Sequence, residues 1–130
     1  MNVKSKVWLE KNDKLVFGVG RAGILRAVAE TGSLNKAAGE LNMSYRHAWS
    51  CIKAAEERLG RPLLVRSKGG RKGGGATLTE YAQDLVCKFE ILDREVGAFA
   101  DRCFRDLFRK RRPTQLPVTV NRSRRGEKGK

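Results

Sequence analysis

Residues 23–59 read GILRAVAETGSLNKAAGELNMSYRHAWSCIKAAEERL, and their apolar rhythm breaks twice. Ile24, Leu25, Val28 and Ala29 recur at helical spacing and predict a helix from Arg21 to Thr31. Gly32 stops it, because glycine accepts the left-handed conformation of a helix end. Ser33 then offers its hydroxyl to the free amides of a second helix, whose apolar positions are Leu34, Ala37, Ala38 and Leu41. Asn42 ends that helix and Ser44 caps a third, with Ala48, Ile52, Ala55 and Leu59 along one face. Gly60 ends the third and Pro62 prevents its resuming.

The chain outside this stretch is legible by the same rules. Residues 3–10 alternate, with Val3, Ser5, Val7 and Leu9 on one side and Lys4, Lys6, Trp8 and Glu10 on the other, which predicts a strand. Lys11-Asn12-Asp13-Lys14 is turn chemistry, and Leu15-Val16-Phe17 predicts the returning strand of a hairpin. Beyond Pro62, Leu63 to Arg66 and Ala76 to Leu78 predict two short strands around a basic, glycine-rich tip, Ser67 to Gly75. Thr79 caps a long helix, Glu80 to about Phe108. Its apolar residues Leu78, Ala82, Leu85, Phe89, Leu92, Val96, Phe99 and Cys103 alternate spacings of four and three. A heptad seam of this kind suits a second helix from another copy of the chain. Packing within one chain is the competing reading, but residues 1–78 have too little surface to cover so long a helix. Arg109 to Lys130 holds nine Lys and Arg, one acid, Pro113 and Pro117, and reads as a disordered basic tail.

Composition narrows the partners. The chain has 130 residues, of which 28 are Lys or Arg and 14 Asp or Glu, a net charge of +14. Such an excess draws a protein to polyanions, nucleic acid first and an anionic membrane surface second. The N-terminus lacks the apolar run of a signal peptide, and no stretch approaches the ~20 apolar residues of a membrane span. A cytoplasmic location is expected. Cys51, Cys87 and Cys103 form no CxxC pair and lie in apolar-periodic stretches, which predicts buried thiols in a reducing compartment.

Residues 23–59 have the spacing of a helix-turn-helix. Small Ala37 and Ala38 stand where two helices approach, and Ala48 and Ile52 dock the third helix on the second. That leaves Tyr45, Arg46, Ser50 and Lys53 facing outward, where a recognition helix meets base edges and phosphates. Arg46 can make a bidentate contact to guanine, and Tyr45 and Ser50 can bond bases or backbone. Ser33 and Ser44 sit at helix N-termini, whose free amides suit a phosphate. Trp49 is expected at the core edge. His47 has no companion ligands for a metal or catalytic role, which leaves a polar or phosphate contact. In the tip, Lys68, Arg71 and Lys72 can neutralise a phosphodiester while the glycines let the backbone approach it. A nucleotide-binding P-loop would need Gly-Lys-Ser/Thr running into a helix, and neither is present.

Glu30-Thr31-Gly32-Ser33-Leu34 with Ala37-Ala38, then Met43-Ser44-Tyr45-Arg46-His47-Ala48-Trp49, resembles the N-terminal DNA-binding domain of ModE-type, molybdate-responsive transcription regulators. Gly73-Gly74-Gly75-Ala76 followed by Leu78-Thr79 shares the resemblance, which covers roughly residues 5–108. The first two helices equally resemble those of LysR-type regulators. The resemblance implies a winged helix-turn-helix dimer, joined through the long C-terminal helix and bound to a palindromic operator. By matched position, Ser44, Tyr45 and Arg46 begin the recognition helix, and Arg71 and Lys72 lie in the wing. Full-length members carry molybdate-binding domains after the long helix, whereas here a 22-residue basic tail follows. Oxyanion sensing is therefore not implied, and the chain resembles a stand-alone DNA-binding domain of that type.

The expected fold is mainly α with small β: a winged helix-turn-helix over 1–78 with an N-terminal β-hairpin, a dimerisation helix over 79–108 and the tail over 109–130. The expected partners are double-stranded DNA and a second copy of the chain, whose interface would comprise Leu85, Phe89, Leu92, Val96, Phe99 and Cys103. A sequence-nonspecific architectural DNA binder, driven by charge and tail, is the alternative. Regulation by a separate sensor protein is open. Paired carboxylates, a Ser/His/Asp set and a metal cluster are not readable, so neither an enzyme nor a cofactor is expected.

Overall fold

The structure is a computed structural model that describes residues 1–67, 75–109 and 115–116. It opens with a hairpin of β1 (Trp8–Lys11) and β2 (Lys14–Gly18). Asn12 and Asp13 form the two-residue loop, with φ of 54° and 64°. Two left-handed residues give the turn whose twist matches that of the flanking strands, and Asn and Asp tolerate this conformation best after glycine. Leu9 pairs with Phe17 but Glu10 pairs with Leu15, so β2 carries an extra residue. Strict alternation forbids burying two consecutive strand residues; the bulge permits it, and Val16 and Phe17 are both buried.

The strand predicted over 3–10 is shorter than its alternation. Residues 1–7 have no partner, because β2 is five residues long and passes directly into a helix. The alternation survives as burial: Val3, Val7 and Leu9 are half-buried while Lys4, Lys6, Trp8 and Glu10 are exposed.

Three helices follow: α1 (Val19–Thr31), α2 (Leu34–Glu40) and α3 (Tyr45–Leu59). Their boundaries are set by local chemistry. Gly32, at φ 75°, donates its N–H to the Val28 carbonyl at 2.7 Å. The Ser33 hydroxyl accepts the Lys36 N–H at 3.0 Å and the Ser44 hydroxyl accepts the His47 N–H at 3.0 Å. Between α2 and α3, Asn42 is left-handed and the Met43 N–H bonds the Ala38 carbonyl at 3.0 Å. This closes a tight turn. Ala37, Ala38, Ala48 and Ala55 have at most 1% exposure, so α2 and α3 meet with little more than backbone between them.

Gly60 ends α3 at φ 74°. The Glu56 carboxylate then accepts the N–H groups of Leu63 (2.8 Å) and Leu64 (3.3 Å), which anchors the wing to α3. The wing pairs β3 (Leu64–Arg66) with β4 (Ala76–Leu78), antiparallel. A second anchor is the Ala76 N–H, donated to the Gly32 carbonyl at 2.9 Å. A side chain on Gly75 would stand 3.1 Å from that carbonyl, which explains glycine at this close approach. The strong cations expected at the tip, Lys68, Arg71 and Lys72, lie outside the described residues.

Thr79 caps α4 (Glu80–Phe108), accepting the Ala82 N–H at 3.0 Å and donating to the Pro62 carbonyl at 3.0 Å. The first turns of α4 complete the core. Phe17, Ile24, Leu25, Val28 and Leu63 are fully buried, and Ala82, Val86 and Phe89 close over them. Phe89 meets Phe17 edge to face, with centroids 5.4 Å apart. On the outside, the Arg26 guanidinium grips the Glu90 carboxylate through two nitrogens and joins α1 to α4. Hydrogen bonding and charge from Glu90 hold Arg26 above the usual arginine pKa. Among the described residues no helix is long and apolar enough to cross a membrane.

The thiols depart from expectation. Cys51 and Cys103 are half-buried and Cys87 is exposed. Cys87 neighbours buried Val86 in sequence, but one residue advances ~100° around a helix, which takes it off the core-facing arc.

Candidate nucleic-acid interface

One face of α3 is open. Tyr45, Arg46, Trp49, Ser50 and Lys53 are all exposed, and Ala48, Ile52 and Ala55 behind them are buried. The spacing places these five on adjoining ridges of the helix. From Tyr45 to Ala55 the helix carries no Asp or Glu; Glu56, the first acid, accepts the wing amides through Oε2 and pairs with the Lys53 ammonium through Oε1 at 3.6 Å. From Tyr45 to Lys53 the outward face is therefore cationic and aromatic, and α3 begins with backbone amides that point along the helix axis at its N-terminal end.

The other predicted site residues divide around this face. Ser44 is exposed at its N-terminal edge, with its oxygen engaged in the cap. Ser33 is half-buried at the start of α2 and engaged in the same way. His47 is exposed but turned toward the hairpin. Its Nε2 lies 3.6 Å from Cys51 Sγ, and both border a groove with Leu15, Gly18 and Arg21. It does not join the Tyr45–Lys53 ridge.

Two members of the face lie outside the sequence expectation. Trp49, expected at the core edge, is 41% exposed, and the Lys53 ammonium lies 5.6 Å from its ring centroid. The signal was its position, four residues after Tyr45 and four before Lys53; its apolar character hid it. Arg66, the last residue of β3, donates from Nη2 to the Tyr45 hydroxyl at 3.1 Å. The wing and α3 thus meet through side chains at the exposed surface.

Removing the Ser44 hydroxyl is expected to be felt at this face. Ser44→Ala leaves the His47 N–H without its cap and should cost about 0.5–2 kcal/mol in urea unfolding. An unchanged midpoint would mean that solvent caps α3 equally well.

This arrangement of three helices and a wing is matched elsewhere. Residues 21–83 match the model for bacterial regulatory helix-turn-helix proteins of the lysR family. The segment is similar to a LysR-type helix-turn-helix domain. The transcriptional regulator ModE of Haemophilus influenzae is 39% identical over 93 residues, which are 72% of this chain and 36% of that protein. The molybdenum transport protein ModE of Azotobacter vinelandii is 38% identical over 82 residues, 63% of this chain and 30% of that protein. The chain thus spans about a third of the length of these relatives, and the ModE and LysR resemblances read from residues 30–49 are both met. Among solved structures, the CbnR DNA-binding domain in complex with DNA superposes with a TM-score of 0.52 at 26% identity, covering 65% of this chain and 91% of that one. The winged helix-turn-helix expected from sequence is the fold observed.

The apolar seam expected on α4 is only partly exposed in the single chain. Leu85 is half-buried against the core. Phe89 is corrected to a core residue of its own chain, 3% exposed, because the first turns of α4 lie over α1 and β2 side chains. Beyond it the core ends. Leu92 is 40% and Phe99 59% exposed, with Val96 and Cys103 half-buried between them. Ile91, Leu107 and Phe108 are exposed as well.

Proposed function

We propose that this chain is a homodimeric, sequence-specific DNA-binding transcription regulator that reads an inverted repeat in double-stranded DNA. The observation that carries the proposal is the outer face of α3 from Tyr45 to Lys53, a span without acids, where Arg46 and Lys53 flank Tyr45 and Trp49, bonded to the wing through Arg66. A helix of this kind enters the major groove with its first turns against base edges, and a wing lies beside it over phosphates. Ser44, Tyr45, Arg46, Ser50 and Lys53 would make those contacts, Ser33 and His47 would flank them, and Lys68, Arg71 and Lys72 would follow the backbone. The names of the H. influenzae relative, a transcriptional regulator, and of the CbnR domain, solved on DNA, support the reading. The exposed apolar residues of α4 support pairing between two copies, which would set two half-sites one helical turn, or a multiple of it, apart.

The test is selection of preferred sites from a random duplex pool at roughly physiological ionic strength, where binding by charge alone is weakened. An inverted repeat is the expected product. Binding without a motif, falling steeply with added salt, would overturn the proposal in favour of a nonspecific architectural protein.

A further inference from the structure

The hydrogen bond between Arg66 and Tyr45 has a chemical consequence for readout. A phenol oxygen carries one proton to donate and lone pairs to accept with. Here Arg66 Nη2 occupies an acceptor position at 3.1 Å. An arginine never gives up its charge, so this donor is permanent. With a cation on the lone-pair side, the hydroxyl proton is directed away from the wing. Tyr45 is then a hydrogen-bond donor to whatever approaches the outer face, and a poor acceptor.

Arg66 itself is fixed by the frame around it. The Leu64 N–H is held by Glu56, β3 pairs Arg66 with Ala76, and Ala76 is bonded to the carbonyl at the end of α1. Just beyond, Ser67 and Gly75 exchange backbone and side-chain bonds at 3.0 and 3.2 Å, which closes the base of the wing. The guanidinium therefore starts from a strand anchored to α1 and to α3, and Tyr45 is the first residue of α3.

From this geometry we infer that Arg66 is a positioning residue, which polarises and orients Tyr45 so that α3 selects a hydrogen-bond acceptor on a base edge in the major groove. The guanine O6 and N7, the thymine O4 and the adenine N7 are acceptors of this class, whereas the amino groups of adenine and cytosine are donors and would be disfavoured. The inference rests on the reading of α3 as a recognition helix. It also means that wing docking and base reading are coupled, since a displaced wing would release the Tyr45 hydroxyl.

The experiment uses the full chain and four variants: Tyr45→Phe, Arg66→Ala, the double substitution, and Arg66→Lys, whose ammonium retains one donor. Preferred sites are selected for each, and affinities are measured on the site preferred by the unaltered chain. Tyr45→Phe and Arg66→Ala should relax the preference at the same base position, each weakening binding by about 5- to 20-fold, the range of one lost base contact. The double variant should be no weaker than either single one, and Arg66→Lys should recover much of the preference. Effects that multiply in the double variant would overturn the inference. So would an Arg66→Ala variant that loses affinity uniformly on all sequences and lowers the salt slope by about one, since that is the signature of a plain phosphate contact. Failure of the recognition-helix reading itself is distinguishable, because the unaltered chain would then select no motif.

Discussion

Phe89→Ala is expected to lower the unfolding free energy by about 3–5 kcal/mol, read from urea or thermal unfolding. That is a large part of the ~5–15 kcal/mol by which a small domain is stable. The ring is 3% exposed and packs edge to face on Phe17, which is fully buried. Truncation removes both the burial and the aromatic pair, and backbone packing cannot close the void from one side. Phe89 is also the last buried residue of α4, so the loss falls where the long helix leaves the domain. Phe99→Ala makes the contrast. Phe99 is 59% exposed, and in dilute protein its truncation should change stability by no more than about 0.5 kcal/mol. A Phe89→Ala cost below about 1 kcal/mol would mean that α4 is not seated on the core at that turn.

These two phenylalanines also show where sequence reading stops. Both occupy the same heptad seam, and periodicity reports that a face is apolar without naming what covers it. Features governed by neighbours in sequence were legible: Gly32 and Ser33 between α1 and α2, Ser44 before α3, Thr79 before α4, and Asn12-Asp13 in the hairpin. Each is a cap or a turn, set by a side chain within three residues. Features that depend on a distant partner were not. The strand expected over 3–10 shrank to Trp8–Lys11 because its length is set by β2. Trp49 was placed by its apolarity rather than by its azimuth on α3. Arg66 and Tyr45 are 21 residues apart, and their contact exists only because β3 docks beside α3. The outer face of α3 was found because it is an exception to the helix's own apolar arc, and exceptions of that kind are local.

Leu92→Asp combined with Phe99→Asp is expected to separate the proposed dimer into monomers, measured by analytical ultracentrifugation. The two residues lie seven apart, on one ridge of α4, and both are exposed in the single chain. In a helix pair they would be enclosed, and burying an unpaired carboxylate there is prohibitive. Because neither residue belongs to the core, far-UV circular dichroism and domain stability should persist. The larger effect falls on DNA. Two linked domains bind two half-sites with an effective concentration that strengthens the complex about 10²- to 10⁴-fold over one alone. The variant should lose that factor on an inverted repeat and, on a duplex with a single half-site, lose only what two added acids cost. The half-site duplex also absorbs the electrostatic effect of two added acids, which weakens both ligands alike. If the variant stays dimeric, the copies meet elsewhere, and the exposed face of α4 serves another purpose. If it becomes monomeric yet keeps full affinity for the repeat, each half-site is read independently, and spacing between half-sites would cease to matter.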